Sequence, residues 1–343
     1  MSELTQTISV KPQPDGTFAA DIQVPTATLG SPHTLLLFAG GQALHPDLVK
    51  RNDPSSWAMQ KAGFDYLIIT SRDFKTNVEP LAQLRRNQGL TVGVVDVEDL
   101  YDEFSFGLNS PQAIHDFLQS AVNNWKRKPR YVLLAGDASY DPKNYLGQGS
   151  TDFVPTKLFD SALMETASDD WLADFDGDGI ADIAIGRLPV RTTADADLMV
   201  NKIISYEAMA PDPTRNVVLV ADYSFEGASS ALQSLLPAAV PVQVINRSSS
   251  DDGTIHTQIV NGINQGPRLV NYVGHGSIGV WTGAPVLSND DAPSLTNTNR
   301  LSVFVTMTCL NGYFQNAFDD SLSEALLQTQ GGRGGSVGLD GSN

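Results

Sequence analysis

Short runs of consecutive apolar residues recur along the chain from Tyr66 onward. Runs of this length read as strands that are buried on both faces of a sheet. Eight such runs occur: YLIIT, TVGVVDV, YVLLAGD, ADIAIGR, NVVLVAD, VQVINR, LVNYVGHG and SVFVTMTC.

Segments with apolar residues at helical spacing alternate with these runs, several of them after a Ser, Thr or Pro start signal. Strands that alternate with helices predict an α/β fold, with a mostly parallel sheet covered by helices on both faces. Residues 1–60 lack a helical period and predict a small β-rich module or the last strands of one. The predicted organisation is therefore this module over residues 1–60, followed by an α/β domain over residues 61–343. The helical segments are PLAQLRRNQG, PQAIHDFLQSAVNNW, TADADLMVNKIISYEAM and SLSEALLQTQ.

The net charge and the single cysteine limit which partners and which chemistry the protein can have. The formal net charge is −17 and no cluster of Lys and Arg occurs, which argues against nucleic acid and anionic membranes as partners. No apolar stretch is long enough to insert into a membrane, and the first residues lack the pattern of a secretory signal. The single cysteine excludes an internal disulfide, so Cys309 is either an inert buried side chain or a reactive thiol.

Two residues that could form a catalytic pair come directly after two of the apolar runs. His275 comes after LVNY within Val-Gly-His-Gly-Ser, and Cys309 comes after SVFVTM. Ligand crevices in parallel sheets lie at the carboxyl ends of strands, and a cysteine nucleophile needs an adjacent base that titrates in the range of imidazole. We therefore predict a catalytic pair, with the backbone amides of Gly276 and Cys309 as donors to an oxyanion.

An acidic loop precedes the run that ends in Gly186 and Arg187. Its sequence, DFDGDGIAD, follows the D-x-D-x-D-G-x-x-D spacing that directs several oxygens at one calcium ion. The twelfth position holds Ile185 instead of an acid, so the loop is not a complete EF-hand, and Asp169 or Asp170 is a candidate to complete the shell. The predicted calcium ligands are Asp174, Asp176, Asp178, Ile180 and Asp182.

The longer strings NYVGHGSIGVW and LTNTNRLSVFVTMTCLNGYF, followed by SLSEALL, resemble the gingipain family of cysteine peptidases, also called peptidase family C25. The resemblance covers roughly Tyr66 to Leu327 and implies a caspase-like α/β fold, a protein or peptide substrate, and a secreted or cell-surface location. It assigns the nucleophile to Cys309, the base to His275 and the acid that orients the histidine to Asp182. Trp281 matches an aromatic position of the family and is either a wall of the substrate pocket or a packing residue.

Alternatives stay open at this point. Asp182 is a candidate both for a calcium ligand and for the acid of the catalytic triad. If it serves both roles, calcium would order the loop that bears the catalytic acid. Besides an endopeptidase that forms a thioester acyl-enzyme, the resemblance admits a sortase-like transpeptidase of a bacterial secretion system; a non-catalytic calcium-binding scaffold is the third alternative.

The specificity for the residue before the scissile bond and the oligomeric state stay open. Family members continue past the last helix seen here, so we expect the chain to be a fragment that lacks part of the cleft.

Overall fold

The computed structural model describes residues 9–21, 52–162, 164–329 and 336–340. The chain divides into two compact units, residues 1–53 and residues 54–343. The described part of the first unit is an antiparallel hairpin of β1 and β2, in which Ser9 lies opposite Asp21. Most of the predicted β-rich module lies outside the described residues, and the domain boundary near residue 60 stays a prediction.

All eight predicted strands are present, and their bounds lie within about three residues of the apolar runs. Two further hairpin regions, β6–β7 and β12–β14, add short antiparallel strands that lack the long apolar runs of the others. The strands are β1 (Ser9–Pro12), β2 (Phe18–Asp21), β3 (Tyr66–Thr70), β4 (Val92–Asp96), β5 (Tyr131–Ala135), β6 (Lys157–Asp160), β7 (Glu165–Ser168), β8 (Ala184–Leu188), β9 (Val217–Ala221), β10 (Val242–Asn246), β11 (Leu269–Val273), β12 (Gly276–Ser277), β13 (Val280–Trp281), β14 (Leu287–Ser288), β15 (Ser302–Met307) and β16 (Ser336–Asp340).

The long strands of the second unit form two parallel sheets instead of one. The first has the order β4-β3-β5-β8 and the second the order β10-β9-β11-β15-β16. Every neighbouring pair in both sheets is parallel. In the second sheet β11 therefore lies between β9 and β15, which brings the carboxyl ends of these three strands to one edge.

Five of the seven described helices begin at a side-chain cap, and α1 and α5 do not. Ser110 accepts the amide of Gln112 with Pro111 at the first turn, and Thr192 and Ser321 each form a reciprocal capping box with an acid three residues on. Among the described residues, no helix has the length and apolar character that a membrane crossing requires. The helices are α1 (Lys75–Asn87), α2 (Val97–Phe104), α3 (Pro111–Asn124), α4 (Thr193–Ala208), α5 (Glu226–Leu235), α6 (Asp252–Asn264) and α7 (Leu322–Gln328).

Helices cover both faces of the first sheet because successive strand side chains point to opposite sides. Leu67 and Ile69 pack in one cluster with residues of α2 and α3, whereas Ile68 packs with Val78 and Ala82 of α1. The second sheet packs Val218, Val220 and Tyr272 against α6 and α7. The predicted α/β class with helices on both faces is thus confirmed, with α2, α5 and α6 as helices that the pattern did not reveal.

Candidate active site

Cys309 and His275 lie at the carboxyl ends of neighbouring parallel strands. The register pairs Val273 of β11 with Met307 of β15, so each of the two functional residues follows a paired position by two residues. Both side chains are exposed to solvent. Cys309 is therefore not the buried cysteine that the sequence allowed as one of two alternatives.

The loops that carry the two residues are joined by hydrogen bonds. The amide of Gly274 donates to the carbonyl oxygen of Met307 over 3.3 Å. Asn311, which is fully buried, donates through Nδ2 to the carbonyl oxygens of Ser277 at 2.6 Å and Val280 at 3.2 Å. The segment after the cysteine is therefore fixed to the segment after the histidine by main-chain and buried side-chain contacts.

Gly276 lies directly against the backbone of the cysteine segment. A Cβ atom at this position would overlap the hydroxyl of Thr308 and would lie 3.1 Å from the carbonyl oxygen of Cys309. Only glycine permits this approach, which brings together the two main-chain segments that were predicted to supply the oxyanion donors. Their role toward an oxyanion stays a prediction.

Two residues beside the pair adopt left-handed backbone conformations that non-glycine residues rarely take. Leu310, directly after the cysteine, has φ +62°, and Thr282, directly after β13, has φ +68°. The amide of Thr282 donates to the carbonyl oxygen of His275 over 2.9 Å. Such strain persists only where the surrounding structure enforces it, and it concentrates at functional sites.

Trp281 is a core residue in this chain. Its side chain has no exposed surface and stacks on Tyr272, with ring centres 4.2 Å apart and planes inclined by 5°. A fully buried ring offers no surface to a substrate, so the structure corrects the expectation of a pocket wall. The packing alternative is the one that the structure shows.

The far end of the segment after Cys309 is held by a buried charge cluster. Arg191 contacts Asp137 at 2.6 Å, Asp320 at 2.6 Å and Glu324 at 3.1 Å. Burial raises the pKa of Asp137 to about 6, against the opposing effect of Arg191. Burial, together with Asp137, also raises the pKa of Glu324 well above its usual range. Asp137 follows β5, so this cluster connects the end of the first sheet to the start of α7.

The acidic loop folds largely on its own hydrogen bonds. Asp174 accepts the amides of Gly177 at 2.8 Å and Gly179 at 2.9 Å, and both glycines have positive φ. Desolvation opposes ionisation of Asp174, but the amides of Gly179 and Gly177 outweigh it and lower the pKa of that carboxyl. The first predicted ligand is therefore held as a carboxylate by the turn itself.

Carboxylate oxygens of three predicted calcium ligands, Asp174, Asp176 and Asp182, converge within 4.8 Å of one another. Asp178 is not in this group; its carboxylate accepts the amide of Ile180 over 2.9 Å. Asp169 does not complete the shell, because both of its oxygens accept hydrogen bonds from Arg187 at 2.7 Å. Three hard oxygen donors in one tight turn fit a calcium ion better than a softer metal.

Asp182 belongs to the acidic loop. One carboxylate oxygen accepts the amide of Phe175 over 2.8 Å, and its own amide donates to Ala173. It precedes β8, at the amino end of the first sheet, whereas His275 follows the carboxyl end of β11 in the second. Among the hydrogen bonds of the described residues, none joins Asp182 to His275, and its role as the partner of the histidine stays a prediction.

Sequence reasoning missed the acid that does contact the His275 segment. Asp222, which directly follows β9, is 2% exposed and accepts the backbone amide of His275 over 3.3 Å through Oδ2. The available signal was its place at the end of NVVLVAD, the strand beside β11. The strand order that makes it a neighbour cannot be read from the sequence pattern.

The fold and the site define an α/β domain of the caspase-like type, with an exposed cysteine and histidine at adjacent strand ends. Residues 60–343 match the sequence model of Peptidase family C25. The chain belongs to this family.

Curated relatives include two gingipains of Porphyromonas gingivalis. Gingipain R1 is 22% identical over 310 residues, which is 85% of this chain and 29% of that protein. Gingipain R2 is 23% identical over 279 residues, which is 77% of this chain and 34% of that protein. The chain thus spans about a third or less of the length of the curated relatives it matches.

Solved structures support the fold. The crystal structure of the Arg-specific cysteine proteinase gingipain R superposes with a TM-score of 0.65 at 21% identity, covering 81% of this chain and 61% of that one. A complex of the pro- and mature domains of RgpB from Porphyromonas gingivalis gives a TM-score of 0.66 at 21% identity, covering 79% of this chain and 62% of that one. The caspase-like fold implied by the sequence resemblance is therefore confirmed.

Proposed function

We propose that this chain is the catalytic part of a cysteine-type endopeptidase, with Cys309 as nucleophile and His275 as general base and acid. The observation that carries the proposal is the exposure of both side chains at equal positions beyond two neighbouring parallel strands. Membership of Peptidase family C25 supports proteins or peptides as the substrate class. A secreted or cell-surface location remains a prediction from the resemblance.

In the proposed mechanism His275 takes the thiol proton of Cys309, and the sulfur attacks the carbonyl carbon of the scissile peptide bond. The C–N bond then breaks as His275 protonates the leaving amine, which leaves a thioester. Water attacks the thioester, His275 takes a proton from the water, and cleavage of the C–S bond returns the thiol. The amides of Gly276 and Cys309 are the proposed donors to the oxyanion in both steps, supported by the close approach of their backbones.

The proposal extends to a calcium ion held by Asp174, Asp176 and Asp182, with the backbone carbonyl of Ile180 and the carboxylate of Asp178 as further candidates. Convergence of the three carboxylates and the glycine-rich turn support it. Calcium would neutralise the clustered acids and stabilise the loop before β8, and no chemical step needs it.

Alkylation of the thiol tests the pair directly. Wild-type protein, Cys309→Ala and His275→Ala are treated with iodoacetamide, and the same proteins are assayed on a panel of fluorogenic peptide amides. We expect Cys309 to react at least about tenfold faster in the wild type than in His275→Ala, because the base raises the thiolate fraction. Hydrolysis should fall about 10⁴-fold or more in Cys309→Ala and about 10²- to 10⁴-fold in His275→Ala.

Equal alkylation rates in the wild type and His275→Ala, together with hydrolysis that survives in Cys309→Ala, would refute the proposed pair. If the acyl-enzyme is instead resolved mainly by an added amine, the transpeptidase alternative replaces hydrolysis while the pair itself stands.

A further inference from the structure

The hairpin of β6 and β7 belongs to neither parallel sheet, and one of its edges faces the segment that follows Cys309. We propose that the free edge of β7 binds an extended stretch of the substrate main chain as a third strand, so that the substrate is recognised partly through its backbone. The inference rests on the proposed function, because the added strand lies beside the segment that carries the proposed nucleophile. The hairpin takes a binding role in this proposal and no chemical step.

The hairpin has the features of a strand-binding element. β6 and β7 form an antiparallel sheet of their own, in which Lys157 lies opposite Ser168 and Asp160 lies opposite Glu165. A sheet of two strands is marginally stable in water, and each of its outer edges carries main-chain groups that a further strand can pair with. Edges of this kind bind extended peptides by strand addition.

The register shows which main-chain groups of β7 point outward. The amide of Ser161 donates to the carbonyl oxygen of Met164 over 2.9 Å, so these two positions pair inside the hairpin. Main-chain groups alternate between the two sides along a strand, and Glu165 and Ala167 therefore direct their N–H and C=O groups away from β6. Among the described residues, none of the main-chain hydrogen bonds outside the hairpin involves Ala167.

Tyr313 shows that this outward edge faces the nucleophile segment. Its hydroxyl donates to the carbonyl oxygen of Glu165, one of the outward groups, over 2.8 Å. Its own amide donates to the carbonyl oxygen of Leu310 over 3.1 Å, so Tyr313 closes the turn that begins directly after Cys309. A chain that pairs with the edge of β7 therefore runs past the turn after the nucleophile.

The hairpin is also fixed at its other end. The amide of Trp171 donates to Oγ of Ser168 over 3.2 Å, and the ammonium group of Lys157 lies 5.3 Å from the centre of the Trp171 ring. Trp171 in turn stacks on His115 of α3, with ring centres 4.9 Å apart. Because both ends are held, the edge of β7 has a defined position before a substrate binds, which lowers the entropic cost of binding.

A purely structural role for the hairpin, as a surface element tied to Tyr313, is the competing explanation. Ala167→Pro separates the two, because proline removes the outward N–H and places its ring at the edge without removing a hydrogen bond inside the hairpin. Asp160→Pro is the matched control. Asp160 lies opposite Glu165 and directs its N–H to the outer edge of β6, on the side away from Tyr313.

The experiment compares two substrates with the same residue before the scissile bond, an acylated single-residue aminomethylcoumarin amide and an internally quenched peptide of ten residues. For Ala167→Pro we expect the ratio of kcat/KM on the long substrate to kcat/KM on the short one to fall about tenfold, mainly through KM, because strand pairing is lost. Tyr313→Phe frees the edge from the nucleophile segment and should lower this ratio about threefold. Asp160→Pro should keep the ratio within about twofold of the wild type.

Methylation of single backbone nitrogens in the long peptide provides a signature of strand pairing. Only every second residue of an added strand directs its N–H toward β7, so outside the two residues that flank the scissile bond the losses in kcat/KM should alternate along the peptide. These losses should shrink in Ala167→Pro, because the pairing that methylation disrupts is already absent there.

Circular dichroism checks the fold of each variant, and the methylation series on the wild type decides the question if Ala167→Pro does not fold. An unchanged long-to-short ratio in folded Ala167→Pro, equal losses in Ala167→Pro and Asp160→Pro, or a methylation series without alternation would overturn the inference. A wild-type dimer in sedimentation that Ala167→Pro dissociates would assign the edge to a second copy of the chain and overturn it as well. Failure of the catalytic pair is seen separately, as wild-type Cys309 alkylation that does not depend on His275.

Discussion

The edge of the second sheet that bears His275 and Cys309 and the acidic loop are held together by different kinds of contact. Hydrogen bonds at the edge join residues that are far apart in sequence, such as Asp222 with His275 and Asn311 with Ser277. Side-chain hydrogen bonds of the acidic loop mostly join residues two to seven positions apart, for example Asp174 with Gly177 and Asp182 with Phe175. The edge thus depends on strand order and register, whereas the loop depends on a local turn.

This difference predicts different responses to change. Disturbing a single contact at the edge should affect catalysis, because these contacts join the segments that carry the proposed base and the proposed nucleophile. Disturbing the loop should affect ion binding and stability, because its oxygens are ordered locally. The predictions below test this separation.

Gly276→Ala should have the largest effect. The new methyl group would overlap the Thr308 hydroxyl and crowd the Cys309 backbone, so one of the two loops must move. We expect kcat/KM on a peptide amide to fall about 10²-fold or more, and the free energy of unfolding to fall by about 1–3 kcal/mol. Steady-state kinetics and urea unfolding measure the two effects.

Gly283→Ala is the matched control, since a Cβ atom there meets no atom within 4 Å. It lies between β13 and β14 of the same small antiparallel sheet, and the stability of this variant should stay within about 0.5 kcal/mol of the wild type. Equal losses of activity in Gly276→Ala and Gly283→Ala would mean that the small sheet as a whole, and not the contact of Gly276 with the cysteine segment, determines activity.

Calcium should have an intermediate effect, on stability first. Binding should raise the free energy of unfolding by about 2.7 kcal/mol when free calcium exceeds the dissociation constant about 100-fold. Asp174→Asn should remove most of this gain, while Asp178→Asn should retain more of it, because Asp178 lies outside the converging carboxylates. Thermal unfolding with calcium or with chelator provides the measurement; equal loss in both variants would contradict this assignment of ligands.

The same variants separate the two roles predicted for Asp182. If Asp182 serves only calcium, then Asp174→Asn and Asp182→Asn should have the same kcat at saturating calcium. A selective loss of kcat in Asp182→Asn would instead indicate that this carboxylate orients His275. In that second case kcat should also fall when calcium is removed, because the ion would order the loop that bears Asp182; an unchanged kcat would count against this role.

The smallest expected effect is a pH dependence of stability that comes from Asp137, which belongs to the charge cluster around Arg191. Asp137 has a folded-state pKa of about 6, above its ordinary value of 3.8, so between these values the folded state binds more protons than the unfolded state. Stability contributed by Asp137 is therefore present at low pH and lost as the pH rises toward 6. Relative to Asp137→Asn, the wild type should lose about 2 kcal/mol between pH 4 and pH 7.

Urea unfolding at several pH values measures this loss. Asp160→Asn, which changes an exposed carboxylate at the end of β6, is the control and should follow the wild type. A pH dependence of Asp137→Asn that parallels the wild type would show that Asp137 is ionised throughout this range.

Much of the fold could be predicted from the apolar runs. All eight appear as strands, but only β9 is buried along its whole length, whereas β8 and β10 are partly exposed. Helices α2, α5 and α6 were missed: α2 (VEDLYDEF) directly follows β4, and α5 (EGASSALQSL) and α6 (DGTIHTQIVNGIN) mix small, polar and β-branched residues. The division into two sheets was missed because the pattern of buried runs is the same for one sheet or two.

The sequence by itself identified the proposed catalytic residues and the acidic turn, since strand ends and short loop spacings are local properties. It named Cys309 and His275, and it named the carboxylates that converge in the acidic loop. Only the tertiary structure decided which strands are neighbours. That order placed the strand that leads to the cysteine next to the strand that leads to the histidine, brought Asp222 to the histidine backbone and buried Trp281 on Tyr272, because contacts between distant segments depend on register and packing that no local pattern encodes.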